Sequence, residues 1–217
     1  MEFDIRNPRK GQLTPGQMAL LEAMPALSAI KLPEVRETIP AAHYSCRSQF
    51  DDEISAIFKA RPIMVGPAAM LPDSRSYTAI DIVDVPILLT RDKGGTVKAF
   101  VNACRHRGLQ LCPAGAKGQG RIVCPYHAWT YEIDGRLRAA PAMTLNKGFD
   151  ASSCRLPEIR CEEWLGWILV TLDKDAPPPS KALESVASLV GDFQMENYVE
   201  SFRETFSWGT NWKILAE

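Results

Sequence analysis

Asn102-Ala103-Cys104-Arg105-His106-Arg107-Gly108 and Cys124-Pro125-Tyr126-His127-Ala128-Trp129-Thr130-Tyr131-Glu132-Ile133-Asp134-Gly135-Arg136-Leu137 are the stretches that decide how this chain folds. Each holds one cysteine followed closely by one histidine, with one residue between them in the first stretch and two in the second. Such short gaps keep each pair on a single tight loop, and Gly108 and Pro125 are residue types that favour turns. Two loops of this kind can clasp a metal centre between them. A structural zinc site usually groups like ligands, cysteines in one pair and histidines in the other. Here each pair mixes the two.

Two thiolates on one iron and two imidazoles on the other is the donor set of a Rieske [2Fe–2S] cluster. Cys104, His106, Cys124 and His127 are therefore the expected cofactor and metal ligands. The mixture has an electrostatic reason. Two thiolates bring the oxidised cluster to neutrality, whereas four would leave it doubly negative and resist a further electron. Neutral imidazoles thus raise the potential and suit the site to single-electron transfer.

Both stretches resemble the Rieske domain of ring-hydroxylating and related Rieske non-haem iron oxygenases. Trp164-Leu165-Gly166-Trp167-Ile168-Leu169-Val170-Thr171-Leu172-Asp173 resembles the closing hairpin of that domain, and Asn211-Trp212-Lys213 the family's first strand of the catalytic domain. The resemblance covers roughly residues 40–217. Two departures are Ala128, where the family usually has Gly, and the lack of an aromatic residue near Ala60-Arg61. Neither touches a ligand. The resemblance implies a second metal in the full enzyme, a mononuclear Fe(II) held by two histidines and one carboxylate. With His106 and His127 committed, only His43 remains of the three histidines. The oxygen-activating iron is thus expected in a catalytic domain absent from this chain, which on its own should not oxygenate substrate. No catalytic residue is assigned to it.

The resemblance implies a ferredoxin or flavin reductase as electron donor and a ring-shaped, trimer-type homo-oligomer, in which the cluster relays electrons to the mononuclear iron. The alternative is a stand-alone Rieske ferredoxin, but such carriers resemble only the minimal β domain and would not need residues 1–40 or 180–217. Rieske proteins of respiratory complexes also resemble these loops, with an added cysteine after each pair and a disulfide between them. Here Cys112 follows the first pair and no cysteine closely follows His127, so that disulfide is not expected. Cys46, Cys112, Cys154 and Cys161 read as small apolar residues in a reducing compartment.

Bulk composition agrees with a cytoplasmic globular protein. Of 217 residues, 46% are hydrophobic and 24% charged, and the net charge is −1, which gives no reason to invoke nucleic acid or an anionic membrane. The N-terminus lacks the apolar core of a signal peptide, and the longest apolar stretch, around Trp164–Leu172, is too short to span a bilayer. Seven basic residues between Lys98 and Arg138 against Glu132 and Asp134 have two readings: a surplus that favours a reduced cluster and attracts an acidic redox partner, or an ordinary solvated surface.

The expected fold is mainly β. An antiparallel β-sandwich or barrel carries an inserted cluster-binding subdomain, with short α-helices before and after it. Residues 1–40 read as a helical extension, with a helix starting at Thr14-Pro15 and Met18, Leu21 and Met24 on one side. Residues 41–176 read as the Rieske domain. Residues 177–217 read as a linker, a helix and the first strand of the catalytic domain. Ser48 with Asp51 predicts a helix cap ahead of an apolar face of Ile54, Ile57 and Phe58. Strands are expected at Ile63–Val65, Thr78–Val83, Ile87–Thr90, Val97–Val101, Arg160–Glu163 and Gly166–Leu172. Lys93-Gly94-Gly95 and Asp134-Gly135 mark hairpin turns. Ser180 predicts a cap for a helix with Leu183, Val186, Leu189 and Val190 on one face, and Tyr126 and Trp129 are expected to shield the cluster loops.

Overall fold

The run Val85–Arg91 divides its side chains between two cores, and the fold is organised about it. The computed structural model describes residues 15–24 and 38–216. In chain order come α1 (Pro15–Ala23), α2 (Ala42–Ser45) and α3 (Arg47–Glu53), the last running on into a π-helix at Ile54–Lys59. Strands follow: β1 (Ile63–Pro67), β2 (Ser76–Ile82), β3 (Val85–Arg91), β4 (Val97–Val101) and β5 (Lys117–Gln119). Then come β6 (Ile122–Val123), β7 (Thr130–Tyr131), β8 (Leu137–Ala139), β9 (Glu158–Trp164) and β10 (Trp167–Thr171). Helices α4 (Pro179–Ala182), α5 (Glu184–Val190) and α6 (Lys213–Ala216) close the described chain.

The expected antiparallel β architecture takes the form of two sheets. One has seven strands in the order β1-β10-β9-β4-β3-β2-β5, and the other has three, β6-β7-β8. On β3, Ile87, Leu88 and Leu89 are all fully buried. Ile87 and Leu89 join a core with Ala99, Ile168 and Val170. Leu88 points to the opposite face and packs with Phe100, Cys104, Trp129 and Tyr131. A strand covered on both faces reads as an unbroken apolar run, which is how 87–89 looks in the sequence.

The second core belongs to the inserted unit. After β4 the chain leaves the large sheet, rejoins its edge through short β5, and returns to its interior at β9, with Ala99 opposite Ile159. The small sheet is built in between. Its β7–β8 hairpin is seated on the large sheet by Thr90 Oγ1, which donates to the Ile133 carbonyl at 2.9 Å. Arg155 donates to the Asp134 carbonyl beside it. Gly135 has φ +82°, and a Cβ there would lie 2.6 Å from Phe100 Cε1, so both turn geometry and contact require glycine.

Every strand expected between Ile63 and Leu172 forms, with Val83 falling in the turn after β2, and both glycine-marked turns lie between paired strands. The ends of the helices differ from expectation. The residue capping α3 is Cys46, not Ser48, because the chain is already helical at Arg47; the Ser48 hydroxyl instead lies 3.2 Å from Cys46 Sγ. The wider turn of the π-helix keeps Ile54 and Phe58 half-buried together and leaves Ile57 42% exposed. Ser180 lies inside α4 rather than capping it, since Pro178 precedes the first helical residue and the Ser180 amide donates to Glu162. Val186 and Leu189 of α5 are exposed. The strand expected through Ile214 is replaced by the turn of α6, because Asn211 Oδ1 accepts the Lys213 amide and starts a helix there. Thr14, Pro25 and the side chain of Leu21 lie outside the described part. No two of the cysteines are bonded to each other, and among the described residues no helix is long and apolar enough to cross a membrane.

Candidate metal centre

The two motif loops share one backbone circuit. In the first, the Cys104 amide donates to the Leu109 carbonyl and the Gly108 amide to the Cys104 carbonyl, both at 2.8 Å. In the second, Cys124 donates to Trp129 at 2.8 Å and Ala128 to Cys124 at 3.1 Å. Each loop turns through a left-handed residue four places after its cysteine, Gly108 at φ +75° and Ala128 at φ +54°. The family preference for glycine at the Ala128 position thus has a direct cause, since a side chain there is strained.

These matching circuits bring the four sequence-predicted residues together as two pairs, Cys104 with Cys124 and His106 with His127. Cys104 and Cys124 are each 3% exposed within the second core. Burial pushes the Cys104 thiol up from its ordinary value; the Tyr131 hydroxyl opposes this, while the facing Cys124 adds to it. The imidazoles lie outside the thiols, His106 half-buried and His127 exposed. Their Nδ1 atoms approach to 3.2 Å. That is hydrogen-bond distance, and it is also close to the separation of about 3.4 Å expected for two nitrogens about 2.1 Å from a shared tetrahedral metal. Burial, and then the nearby His127 and Arg107 charges, hold the His106 imidazole below the ordinary histidine range, favouring the neutral ring a metal requires. Two thiols and two imidazole nitrogens are the donor set that a two-iron Rieske cluster would require.

Neighbouring side chains fix this geometry. Trp129, 3% exposed, stacks on His106 with centroids 4.9 Å apart and planes within 8°. Phe149 braces the indole edge-on at 5.6 Å. Tyr126 lies 3.7 Å from the His127 ring but is 55% exposed, so it covers one side of that ring and does not seal the site as expected. Buried Asn102 grips Cys112 at both ends, donating to its carbonyl at 2.7 Å and accepting its amide at 3.2 Å, and so anchors the first loop.

Tyr131 is not among the sequence-predicted site residues. Fully buried, its hydroxyl accepts the Arg105 amide at 2.9 Å and lies 3.4 Å from Cys104 Sγ. It reaches the sulfur because β6 and β7 pair with Tyr131 opposite Ile122, a register that no motif spacing announces. The expected basic surplus is largely paired off. Arg121 and Arg138 share Glu132, Arg136 binds Asp134, and Lys117 lies 3.9 Å from Glu200. Arg105 and Arg107 remain exposed beside the loops. His43 is exposed on α2.

The profile of the Rieske [2Fe-2S] domain matches residues 61–150. The glycine betaine monooxygenase oxygenase subunit of Chromohalobacter salexigens is 31% identical over 180 residues, covering 83% of this chain and 40% of that protein. The carnitine monooxygenase oxygenase subunit of Escherichia coli is 29% identical over 187 residues, covering 85% and 50%. The crystal structure of a quaternary ammonium Rieske monooxygenase in its apo form matches with a TM-score of 0.77 at 27% identity, over 86% of this chain and 57% of that one. The chain spans about half the length, or less, of these curated relatives. Its β architecture is therefore a Rieske [2Fe–2S] domain, homologous to the Rieske portion of the oxygenase subunits of Rieske oxygenases.

Proposed function

We propose that Cys104 and Cys124 hold one iron of the [2Fe–2S] cluster and that His106 and His127 hold the other through Nδ1. The observation that carries this is the pair of matched loops, which present two buried thiols on one side and two Nδ1 atoms 3.2 Å apart on the other. Bound there, the cluster supplies one-electron transfer at a potential raised by its neutral ligands. The chain's own residues set the conditions. Trp129 fixes the plane of His106 and keeps water from the thiol side. Asn102 holds the first loop in register. Tyr131 has its oxygen already engaged by the Arg105 amide, so its O–H is left to donate to Cys104 Sγ.

On this reading the chain is the electron-accepting portion of a Rieske non-haem iron oxygenase. It takes electrons from a ferredoxin or flavin reductase and passes them to a mononuclear iron whose ligands lie outside this chain. Histidine arithmetic supports the last point, because His43 is the sole histidine left over. The relatives that act on glycine betaine and carnitine share this electron-handling part, so the proposal concerns electron transfer and not substrate. The test is visible absorption and low-temperature EPR before and after dithionite, with iron and sulfide quantified. Two irons, two sulfides and a reduced-state signal of low average g, lost in His127→Ala, are expected. A colourless protein with a single zinc would overturn the reading.

A further inference from the structure

Where the β7–β8 hairpin crosses the turn between β3 and β4, the two sheets leave an open cleft of about 870 Å³. That volume is within the usual range for small-ligand sites, and a junction between two structural units is a common location for one. Its walls carry six cations, Arg75, Lys93, Lys98, Arg136, Arg138 and Arg155, against Asp92, Glu132 and Asp134. The chain as a whole has a net charge of −1, so this surplus is local.

The carboxylates are already engaged. Asp92 Oδ1 accepts the Gly94 and Thr96 amides within its own turn, at 2.8 and 2.9 Å. Glu132 is shared between Arg121 and Arg138, at 3.3 and 3.8 Å, and Asp134 pairs with Arg136 at 2.7 Å. Arg155 is turned onto the Asp134 carbonyl. Arg75, Lys93 and Lys98 make no ion pair with any described residue. Two of these three, Arg75 and Lys98, are half-buried. Both line the same cavity, and neither has a counter-charge among the described residues.

We infer that this cleft binds a small polyanion, a ligand carrying two or more phosphate or carboxylate groups, which Arg75, Lys93 and Lys98 neutralise. Concavity argues for a compact ligand, because cations projecting from separate segments can converge on a single molecule. A ligand held there touches both sheets and should tighten the seating of the hairpin. The inference does not depend on what the motif loops bind.

The experiment is calorimetric titration of the 217-residue protein with fructose 1,6-bisphosphate and, separately, with tricarballylate, alongside thermal unfolding. Saturable binding of at least one probe is expected, weakening as salt is raised and lifting the unfolding temperature. Preference for the bisphosphate or for the tricarboxylate would tell which anionic group the cleft takes. The double variant Arg75→Gln/Lys98→Gln should bind at least about tenfold more weakly, whereas Lys174→Gln, outside the cleft, should bind as the parent does. If the double variant does not fold, Lys93→Gln on the exposed turn serves instead, with a loss of about threefold. Absence of saturable binding with both probes would overturn the inference. So would equal weakening in Lys174→Gln.

Discussion

Tyr131 places one hydroxyl between a backbone amide and a sulfur, and both contacts can be tested with a single-atom change. Tyr131→Phe leaves the Arg105 amide without its partner, a loss of about 1 kcal/mol in unfolding free energy. It also removes the O–H from Cys104 Sγ. Hydrogen bonds to cluster sulfurs stabilise the reduced, more negative state, so the potential of the iron-loaded variant should fall in a redox titration. An unchanged potential would mean that the hydroxyl does not donate to that sulfur. Burial pushes the Tyr131 phenol up, so it remains a donor across the working pH range. Ala128 offers the opposite kind of test. At φ +54° its methyl group is strained, and Ala128→Gly should stabilise the fold by about 0.5–1 kcal/mol, raising the melting temperature by a degree or more. A lower melting temperature would show that the Ala128 methyl makes a packing contact worth more than that strain.

At the scale of elements, the seating of the small sheet depends on a close approach. Gly135→Ala would drive a Cβ into Phe100 at a left-handed position, and a loss of about 2–3 kcal/mol is expected from denaturant unfolding. A second junction joins α6 to the helices that precede β1. Glu53, 13% exposed, accepts the Lys213 ammonium at 2.6 and 2.7 Å and the Trp212 indole N–H at 2.9 Å. Asn211 donates to the Tyr44 carbonyl at 3.1 Å, and Phe58 meets Trp212 edge-on at 5.2 Å. The Lys213 ammonium, against burial, holds the Glu53 carboxyl below the usual carboxylate range. A depressed carboxyl contributes its stability above its unfolded value and loses it as pH falls through the folded one. Hydrogen exchange of the 213–216 amides should therefore be protected at neutral pH and lose that protection only below about pH 4. Loss beginning near neutrality would assign the junction to another group.

Which elements are legible in the sequence follows from the same physics. Val97–Val101 is legible to the residue because two β-branched valines and Phe100 lie between a glycine turn and polar Asn102. The cluster loops are legible because metal ligation constrains residue type and spacing together. Short β5 and β6 give no such signal, since two or three residues carry no period. The π-helix depends on a hydrogen-bond shift that leaves no residue signature, and it turns Ile57 outward. The strand expected at Asn211-Trp212-Lys213 rests on the family resemblance, while a side-chain cap sets a helical turn there locally. Tyr131 and the basic cleft depend on how the small sheet lies across the large one, and neither follows from adjacent residues.

On the scale of the whole molecule, the two cores divide the work. Cys104, Cys124, Trp129 and Tyr131 belong to the core shared with the small sheet, while Ile87, Leu89, Ile168 and Val170 form the other. Removing iron with chelator and reductant should therefore loosen the first before the second. Amides of β6–β8 are expected to lose exchange protection while those of β3 and β10 keep it. Simultaneous loss everywhere would make the two sheets one cooperative unit. The pairing of β1 with β10 sets Ile63 directly opposite Val170. The polypeptide thus enters and leaves the metal-bearing body through neighbouring rungs of a single ladder. A body with its inlet and outlet side by side is a cassette, which can be spliced into a foreign host at one surface loop without stretching either partner.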